Sequence, residues 1–471
     1  MQAKGSSRKP SKPIKPSVNA ISPARREAFA ILLEMESGQG HADDLLRGAR
    51  VSALSPQDRN LCTTLVMGVL RWQPRLDGLI KQFLTKPNAR IDPEVRIALH
   101  LGVLQLLFLD RIPAHATISE SVALVKSAGH TFAAGMVNAV LRKLAELPKF
   151  NQSLPPGLTA SQLAESTAHP AWLVERWVAH FGIAAAQAIC RHGQQPPESA
   201  IRLDAPETDA ELAGQGIEVI PGAILTVARR VVSGDVTTTT AFESGRIRIQ
   251  EEGSQLIPEL AGQGRKILDC CAAPGGKTLI LAERNPQARV TAFEISPSRC
   301  QALQSRVAGS KYASQIEVQL ADATQLLAVP TYDLVLADVP CSGTGTLGRN
   351  PEIRHRLQLA DLVRHHERQC AILRSALRVG TGRVVYSTCS LEPEENSAVV
   401  AEVLAQTPGW HAIPVSDVLH KLSEQGRLTL EVREALSKAQ SADGSLTILP
   451  GTLGAQVQTD GFFIAILQKG S

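Results

Sequence analysis

From residue 246 onward, apolar runs rich in β-branched residues alternate with helical stretches, and few folds accept that order. RKILDCCA reads as a strand and PGGKTLILAERN as a helix. ARVTAFEI is a strand, and 296–308 a helix. IEVQLADA and YDLVLADVP are two more strands, followed by a long helix over 358–378. GRVVYSTCS is a strand, NSAVVAEVLAQ a helix and GFFIAILQK a closing strand. Strands separated by helices pair in parallel, because the helix carries the chain back to the starting end of the sheet. The expectation is an α/β, Rossmann-like fold with a mostly parallel sheet and helices on both faces. Such sheets bind ligands beyond the carboxyl ends of their strands. The polar motifs of this segment all fall there.

The first part of the chain reads differently. Ser22-Pro23, Ser55-Pro56 and Asp92-Pro93 each place a helix-capping residue before a proline at the first helical position. Apolar residues then recur at helical spacing: Ala28, Ile31, Leu32 and Met35; Leu61, Leu65 and Leu70; Val95, Leu99 and Leu106. Further helices are expected over 117–128 and 135–147. Residues 1–20 are expected to be a disordered basic tail and 21–148 an all-α domain. KFNQSLPPGLTAS, over 149–161, has linker composition. Residues 149–245 are expected to hold that linker and a small mixed α/β segment, with Trp172 and Trp177 as core anchors. Residues 246–471 form the α/β domain.

Bulk properties narrow the class. The 471 residues suffice for roughly three domains. No apolar run approaches the ~18 residues of a membrane helix. The first twenty residues lack an apolar segment, so a secretory signal is not expected. Eight cysteines include no CxxC pair and no Cys/His cluster with zinc spacing. A reduced, cytoplasmic protein without disulfides or a metal site is expected. Net charge is +4, but residues 1–150 carry 21 Lys+Arg against 12 Asp+Glu. Five of those cations lie between Lys4 and Lys15 with no acid among them. Such a tail either tracks a phosphate backbone or is simply solvated, and charge alone leaves both open.

One loop, DCCAAPGGKT over Asp269–Thr278, follows a strand and opens a helix. Gly275 and Gly276 let the backbone approach a ligand, and the helix start offers free N–H groups. Glu294 ends the next strand, nineteen residues after Gly275, where doubly wound folds place an acid for ribose hydroxyls. Asp322 ends the third strand, facing an adenine amino group in such a site, and Asp338 ends the fourth. The competitor is a phosphate-binding loop, G-x-x-x-x-G-K-[ST]. Gly276, Lys277 and Thr278 fit it, but Cys271 stands at the first glycine. Glu294 and Asp322 favour a nucleoside site.

Two cysteines stand at strand ends: Cys341 in DVPCSGTG and Cys389 in YSTCS. Cys62, Cys190, Cys300 and Cys370 read as small buried hydrophobes. A thiolate beside a nucleoside cofactor suits one chemistry well. Added to carbon 6 of a pyrimidine, it makes carbon 5 nucleophilic enough to take a methyl group from S-adenosylmethionine; loss of the carbon 5 proton and of the thiol completes the reaction. The thiol needs an electropositive setting, for which Lys277 is the nearest candidate. Asp338 is placed to hold the polar edge of the base, which must be unpaired or flipped out. On residues alone the two cysteines cannot be ranked.

Together, DCCAAPGGKT, AFEIS, ADAT, DVPCSGTG and YSTCSLEPEEN resemble the Sun/Fmu-type RNA cytosine-C5 methyltransferases. EEGSQLIPEL and DGFF extend the likeness over about 248–471. The resemblance implies S-adenosyl-L-methionine as cofactor, Cys389 as nucleophile and Cys341 as the thiol that assists elimination and product release. It implies cofactor contacts at Cys271, Ala272, Ala273, Pro274, Gly275, Gly276, Lys277, Glu294, Asp322 and Asp338. LGVLQLLFLDRIPAHATISESVALVK and GMVNAVLRKL resemble a NusB-like RNA-binding domain, and HPAWLVERWVAHFG the connecting segment of bacterial enzymes that act on 16S rRNA. Glu294 stands where aspartate is common, and NPEIRHRL follows the family pattern loosely. Residues 411–450 carry no motif.

The expected function is methylation of carbon 5 of a cytosine in 16S rRNA through a covalent cysteine–cytosine adduct. The substrate would be naked RNA or an early assembly intermediate, and the protein a monomer without membrane association. Two other classes remain: a P-loop-like RNA-dependent ATPase, which Cys271 opposes, and a non-catalytic ribosome-assembly factor, which would not need both thiols.

Overall fold

The computed structural model describes residues 21–151, 153–326, 331–454 and 457–470. The expected basic tail over 1–20 lies outside the described residues. The chain divides into two compact units, one ending at Gly157 and the other beginning at Leu158.

The first unit is all-α. Its main helices are Pro23–Glu36, Pro56–Phe83, Pro93–Leu107, Ala114–Ser127 and Ala134–Leu144. Three of them start at the predicted prolines, but only Ser55 caps through its side chain, accepting from the Asp58 N–H at 3.1 Å. Ser22 Oγ accepts from Arg25 instead. Helix Pro93–Leu107 buries residues on every side, from Val95 to Leu107, which makes it the unit's centre.

The second unit holds two sheets. β1 (Ala200–Leu203), β2 (Glu218–Pro221), β3 (Ala228–Ser233) and β4 (Ile247–Ile249) form an antiparallel sheet in the order β2-β3-β1-β4. β4 pairs with β1, so this sheet extends past the expected boundary at 246. The helix Ala171–Gln194 precedes it, with a non-helical Gly182 inside. Trp177 is fully buried there, while Trp172 is half-buried.

The large sheet comprises β5 (Lys266–Asp269), β6 (Arg289–Glu294), β7 (Ile316–Leu320), β8 (Tyr332–Asp338), β9 (Gly380–Thr388), β10 (Trp410–Ile413), β11 (Leu446–Ile448) and β12 (Phe462–Lys469). Its order is β10-β12-β9-β8-β5-β6-β7, with β11 beside β12. β5 to β9 pair in parallel. β12 runs antiparallel to β9, β10 and β11. Consecutive strand residues enter opposite apolar layers: Ile267, Leu334 and Val385 one, Leu268, Val335 and Val384 the other. Burial on both faces explains the continuous apolar runs.

The stretch 411–450 is ordered structure. Helices Val415–Glu424 and Leu430–Lys438 bury Val415, Val418, Leu419, Leu422, Val432 and Leu436 against the sheet.

The chain lays β5, β6 and β7 outward in one direction, then crosses to put β8 on the other side of β5. A cleft opens at the carboxyl end of such a reversal. The loops after β5, β8 and β9 are thereby neighbours.

Candidate active site

The loop after β5 turns through Gly275, at φ +100°, into helix Gly276–Arg284. A Cβ at Gly275 would lie 2.6 Å from Leu303, and one at Gly276 would lie 2.9 Å from Gln250. The positive φ at Gly275 disfavours any other residue there, and a Cβ at Gly276 would have to displace the Gln250 side chain, so Gly276 offers bare backbone to the cleft wall. The cleft is about 340 Å³ and is lined by Cys271, Ala273, Glu294, Asp322, Asp338 and Arg368, among others. A smaller recess beside it, about 140 Å³, adds Asp269, Ala272, Pro274, Gly276 and Lys277. Together the two recesses contain every expected cofactor residue except Gly275, which shapes the turn.

The same loop carries Asp269, to which the sequence motifs assign no role. It ends β5 just as Glu294 and Asp338 end their strands, and that shared position was the available signal. Its carboxylate is 1% exposed. Oδ2 accepts from Thr278 Oγ1 at 2.7 Å, while Oδ1 has no partner among the described residues. Burial, reinforced by nearby Asp338, pushes its pKa up to about 6 in spite of the Thr278 bond. An unpaired carboxylate oxygen facing a recess suits a cationic ligand. Thr278 is fully buried and spent on Asp269, so it is not free for the magnesium ion that a phosphate loop would hold. Glu294, 4% exposed, accepts from the Ser296 N–H at 2.9 Å. Asp322 accepts from the Thr324 N–H and hydroxyl at 2.9 and 2.8 Å. These bonds fix both carboxylates at the cleft edge. The donor set fits a nucleoside carrying a cationic tail.

Cys341 Sγ and Cys389 Sγ stand 3.3 Å apart, and both are partly exposed. β8 and β9 are adjacent and in register, with Asp338 opposite Ser387, so their end loops converge. The contact with Cys389, then burial, pushes the Cys341 pKa well above the usual thiol range, and the charge of Glu395 acts the same way. Lys277 Nζ donates to Asp338 Oδ2 at 2.7 Å, and Ser387 Oγ donates to Asp338 Oδ1 at 2.7 Å. Burial opposes the Lys277 charge, but Asp338 outweighs it and leaves the ammonium harder to deprotonate than usual; Cys389 adds to this. The pair thus sets a donor, Lys277, beside an acceptor, Asp338.

Distant motifs hold this loop in place. The Gly345 N–H donates to Cys389 O at 2.9 Å, and the Gly461 N–H to Gly345 O at 2.8 Å. A Cβ on Gly345 would run into the carbonyls of both Gly461 and Cys389. Glu251, from EEGSQ, accepts from Thr459 Oγ1 at 2.6 Å and so tethers the DGFF segment. Trp177 Nε1 and Arg176 Nε donate to Glu392, at 3.1 and 2.9 Å, and grip the turn after Cys389. None of these long-range ties was visible in sequence.

Linear spacing gave no metal site, but the fold gathers His366, Cys370 and Glu402, with ligand atoms within 4.8 Å of one another. His366 bridges the Glu394 carbonyl and Glu402 at 2.7 and 2.8 Å, and Arg374 also binds Glu402. The group reads as an ion-pair network.

Comparison with known proteins agrees with this architecture. Residues 259–468 match the family model "16S rRNA methyltransferase RsmB/F". Residues 22–146 match the NusB family, and 169–232 a ferredoxin-like domain of RsmF/B-like methyltransferases. A Bacillus subtilis (strain 168) protein, "Probable ribosomal RNA small subunit methyltransferase B", is 32% identical over 458 residues, covering 94% of this chain and 98% of that one. "Ribosomal RNA small subunit methyltransferase B" of Pseudomonas putida is 31% identical, covering 89% of this chain and 96% of that one. The crystal structure of PH0851 shares the fold with a TM-score of 0.75 at 24% identity, covering 96% of this chain and 99% of that one. NSun6 from Pyrococcus horikoshii with SFG does so with a TM-score of 0.52 at 17% identity, covering 63% of this chain and 97% of that one.

Proposed function

This chain belongs to the RsmB/F family of 16S rRNA methyltransferases, and on that footing we propose that it methylates carbon 5 of a cytosine in small-subunit ribosomal RNA. Enzymes of this family depend on S-adenosylmethionine, which when bound supplies the methyl electrophile. The residues that would hold it are Cys271–Lys277, Glu294, Asp322 and Asp338, with Asp269 beside them in the smaller recess.

The observation that carries the proposal is the thiol pair 3.3 Å apart beside the Lys277–Asp338 ion pair. Cys389 as thiolate bonds to carbon 6 of the base. Carbon 5 then has the electron density to accept a methyl group. Lys277 is the one of the pair that can donate to the base as negative charge builds on the ring, and Asp338 accepts from an amino group. A base takes the carbon 5 proton, the freed electron pair forms the carbon 5–carbon 6 double bond, and Cys389 leaves as thiolate. Cys341, with its sulfur 3.3 Å away, hydrogen-bonds to the departing sulfur. The likeness of YSTCS and DVPCSGTG to the family motifs supports Cys389 as nucleophile and Cys341 as the residue that assists elimination, and the 3.3 Å contact lets both act on one carbon–sulfur bond.

Residues 21–148 are assigned to RNA binding, 149–245 to the linker and small sheet, and 246–471 to catalysis, with β4 completing the small sheet. Among the described residues, no helix is long and apolar enough to cross a membrane. The enzyme is proposed to act as a monomer in the cytoplasm, on naked 16S rRNA or an early assembly intermediate.

The test uses 16S rRNA containing 5-azacytidine, incubated with S-adenosylmethionine and protein. A denaturant-resistant protein–RNA band is expected with the wild type and lost with Cys389→Ala. No band with any form, despite measurable cofactor binding, would overturn the proposal in favour of another base or a non-catalytic role.

A further inference from the structure

The reaction asks two thiols on separate strands to act on one carbon–sulfur bond, so their separation must be held. One buried side chain touches the neighbours of both. Glu395 is fully buried. Its carboxylate accepts from the Ser342 N–H at 2.8 Å, the Ser390 hydroxyl at 2.5 Å, Gln369 Nε2 at 3.0 Å and, more closely still, the Ser342 hydroxyl. Ser342 follows Cys341 in sequence and Ser390 follows Cys389. The two serine hydroxyls also meet each other at 3.0 Å. Glu395 is itself pinned: its carbonyl accepts from Tyr386 Oη at 2.6 Å. The next residue, Asn396, donates to Ser390 O at 2.9 Å. Gln369 also donates to Pro340 O at 2.9 Å, just before Cys341.

We propose that Glu395 is a positioning residue that clamps the loops carrying Cys341 and Cys389 together and sets the distance between their sulfurs. The clamp rests on the reading above for its catalytic meaning, but its geometry can be tested without RNA. A carboxylate suits the place because four donors from three separated segments converge on it, more than an amide or hydroxyl can accept. An alanine leaves those donors unpaired and the loops untied. An aspartate, one methylene shorter, cannot span both serines. A glutamine keeps one acceptor, and the serine hydroxyls can turn to accept from its amide.

The test is carried out on the full-length protein with Glu395→Ala and Glu395→Gln. Diamide takes two hydrogens from a thiol pair, leaving a disulfide and the reduced hydrazine. The rate of Cys341–Cys389 disulfide formation, followed by peptide mass, therefore reports sulfur spacing directly. Glu395→Ala is expected to slow it about tenfold or more and to lower kcat similarly with KM for RNA nearly unchanged, since small misplacements cost this much. Glu395→Gln is expected to restore most of both. S-adenosylmethionine binding should persist in both variants and certify the fold. Should Glu395→Ala fail to fold, the Ser342→Ala/Ser390→Ala double variant removes the hydroxyl half of the clamp and is expected to slow cross-linking in the same way. Cross-linking at the wild-type rate in a folded variant would overturn the clamp. Absence of an RNA adduct with the wild type would instead overturn the catalytic reading, while the cross-linking rates would still judge Glu395.

Discussion

Cys341 Sγ lies 3.3 Å from Cys389 Sγ across two neighbouring strand ends, closer than two thiols need to be for packing alone. Contact with Cys389 and burial push the Cys341 thiol up, and the proposed roles of the two are told apart by substitution. Cys389→Ala should abolish methyl transfer and leave S-adenosylmethionine affinity within about twofold, because the cofactor cleft does not include it. Cys341→Ala should bond to RNA and release it slowly, so a covalent adduct accumulates even on unmodified RNA. Denaturing gels and tritiated methyl transfer read both outcomes. A Cys341→Ala variant that turns over at the wild-type rate would remove Cys341 from the reaction.

Lys277 is tied to Asp338 at 2.7 Å with both side chains mostly buried. Lys277→Met should lower kcat about a hundredfold by removing the donor that meets charge on the base. It should also cost about 1–3 kcal/mol of stability, because the Asp338 carboxylate loses a partner. Its pKa is raised, so the ammonium is fully present below the ordinary lysine range and is lost only as pH climbs through the raised value. Activity should therefore show no Lys277 titration near neutrality. A pH–rate profile on wild type and variant checks this.

Asp269 is also raised, so its linkage has the same sign as that of Lys277, but here folding favours the neutral form. Its pKa rises from 3.8 to about 6 on folding, so the native state binds more protons than the unfolded chain across that window. Stability falls as pH rises from about 4 to 6, by up to about 3 kcal/mol at 1.36 kcal/mol per unit, and stays low above. Asp269→Asn should therefore raise the melting temperature, more at pH 7.5 than at pH 5. A cationic cofactor needs the ionised form, so wild-type affinity should drop about tenfold between pH 7 and 5. The Asn variant should bind weakly with no such dependence. Calorimetric titration at both pH values decides it.

How far the sequence spoke depends on what each residue packs against. β5, β6, β8 and β9 were readable because burial on both faces turns them into unbroken apolar runs. β12 has the same composition but runs antiparallel, since no crossover helix separates it from β11; residue content alone does not carry direction. β1 to β4 are only three to six residues long, β2 and β3 are largely exposed or half-exposed, and the set gave no periodic signal. Val415, Val418, Leu419 and Leu422 do recur at helical spacing, and the polar residues between them hid it. At the candidate site, strand-end position singled out Glu294, Asp322, Asp338 and both thiols, which the fold brings to neighbouring loops. The same rule would have found Asp269. Glu251 with Thr459, and Gly345 with Gly461, meet across more than a hundred residues, and only the folded chain brings them together.

Gly345 supplies the last prediction. Its N–H holds the Cys389 carbonyl, and its carbonyl holds Gly461. The space for a Cβ is taken by backbone atoms on both sides, which cannot rotate away as a side chain would. Gly345→Ala should push the Cys389 loop off its register and cost about 1–3 kcal/mol, the usual range for an overpacked site. Cofactor binding should survive, because Gly345 lies outside the cleft lining. Adduct formation with 5-azacytidine RNA should fall at least about tenfold, as a shift of an ångström at the nucleophile allows. Gly309→Ala, whose Cβ would meet only ordinary contacts, is the control and should behave as wild type. Equal adduct yields from the two variants would show that the Gly345–Cys389 bond does not place the thiol.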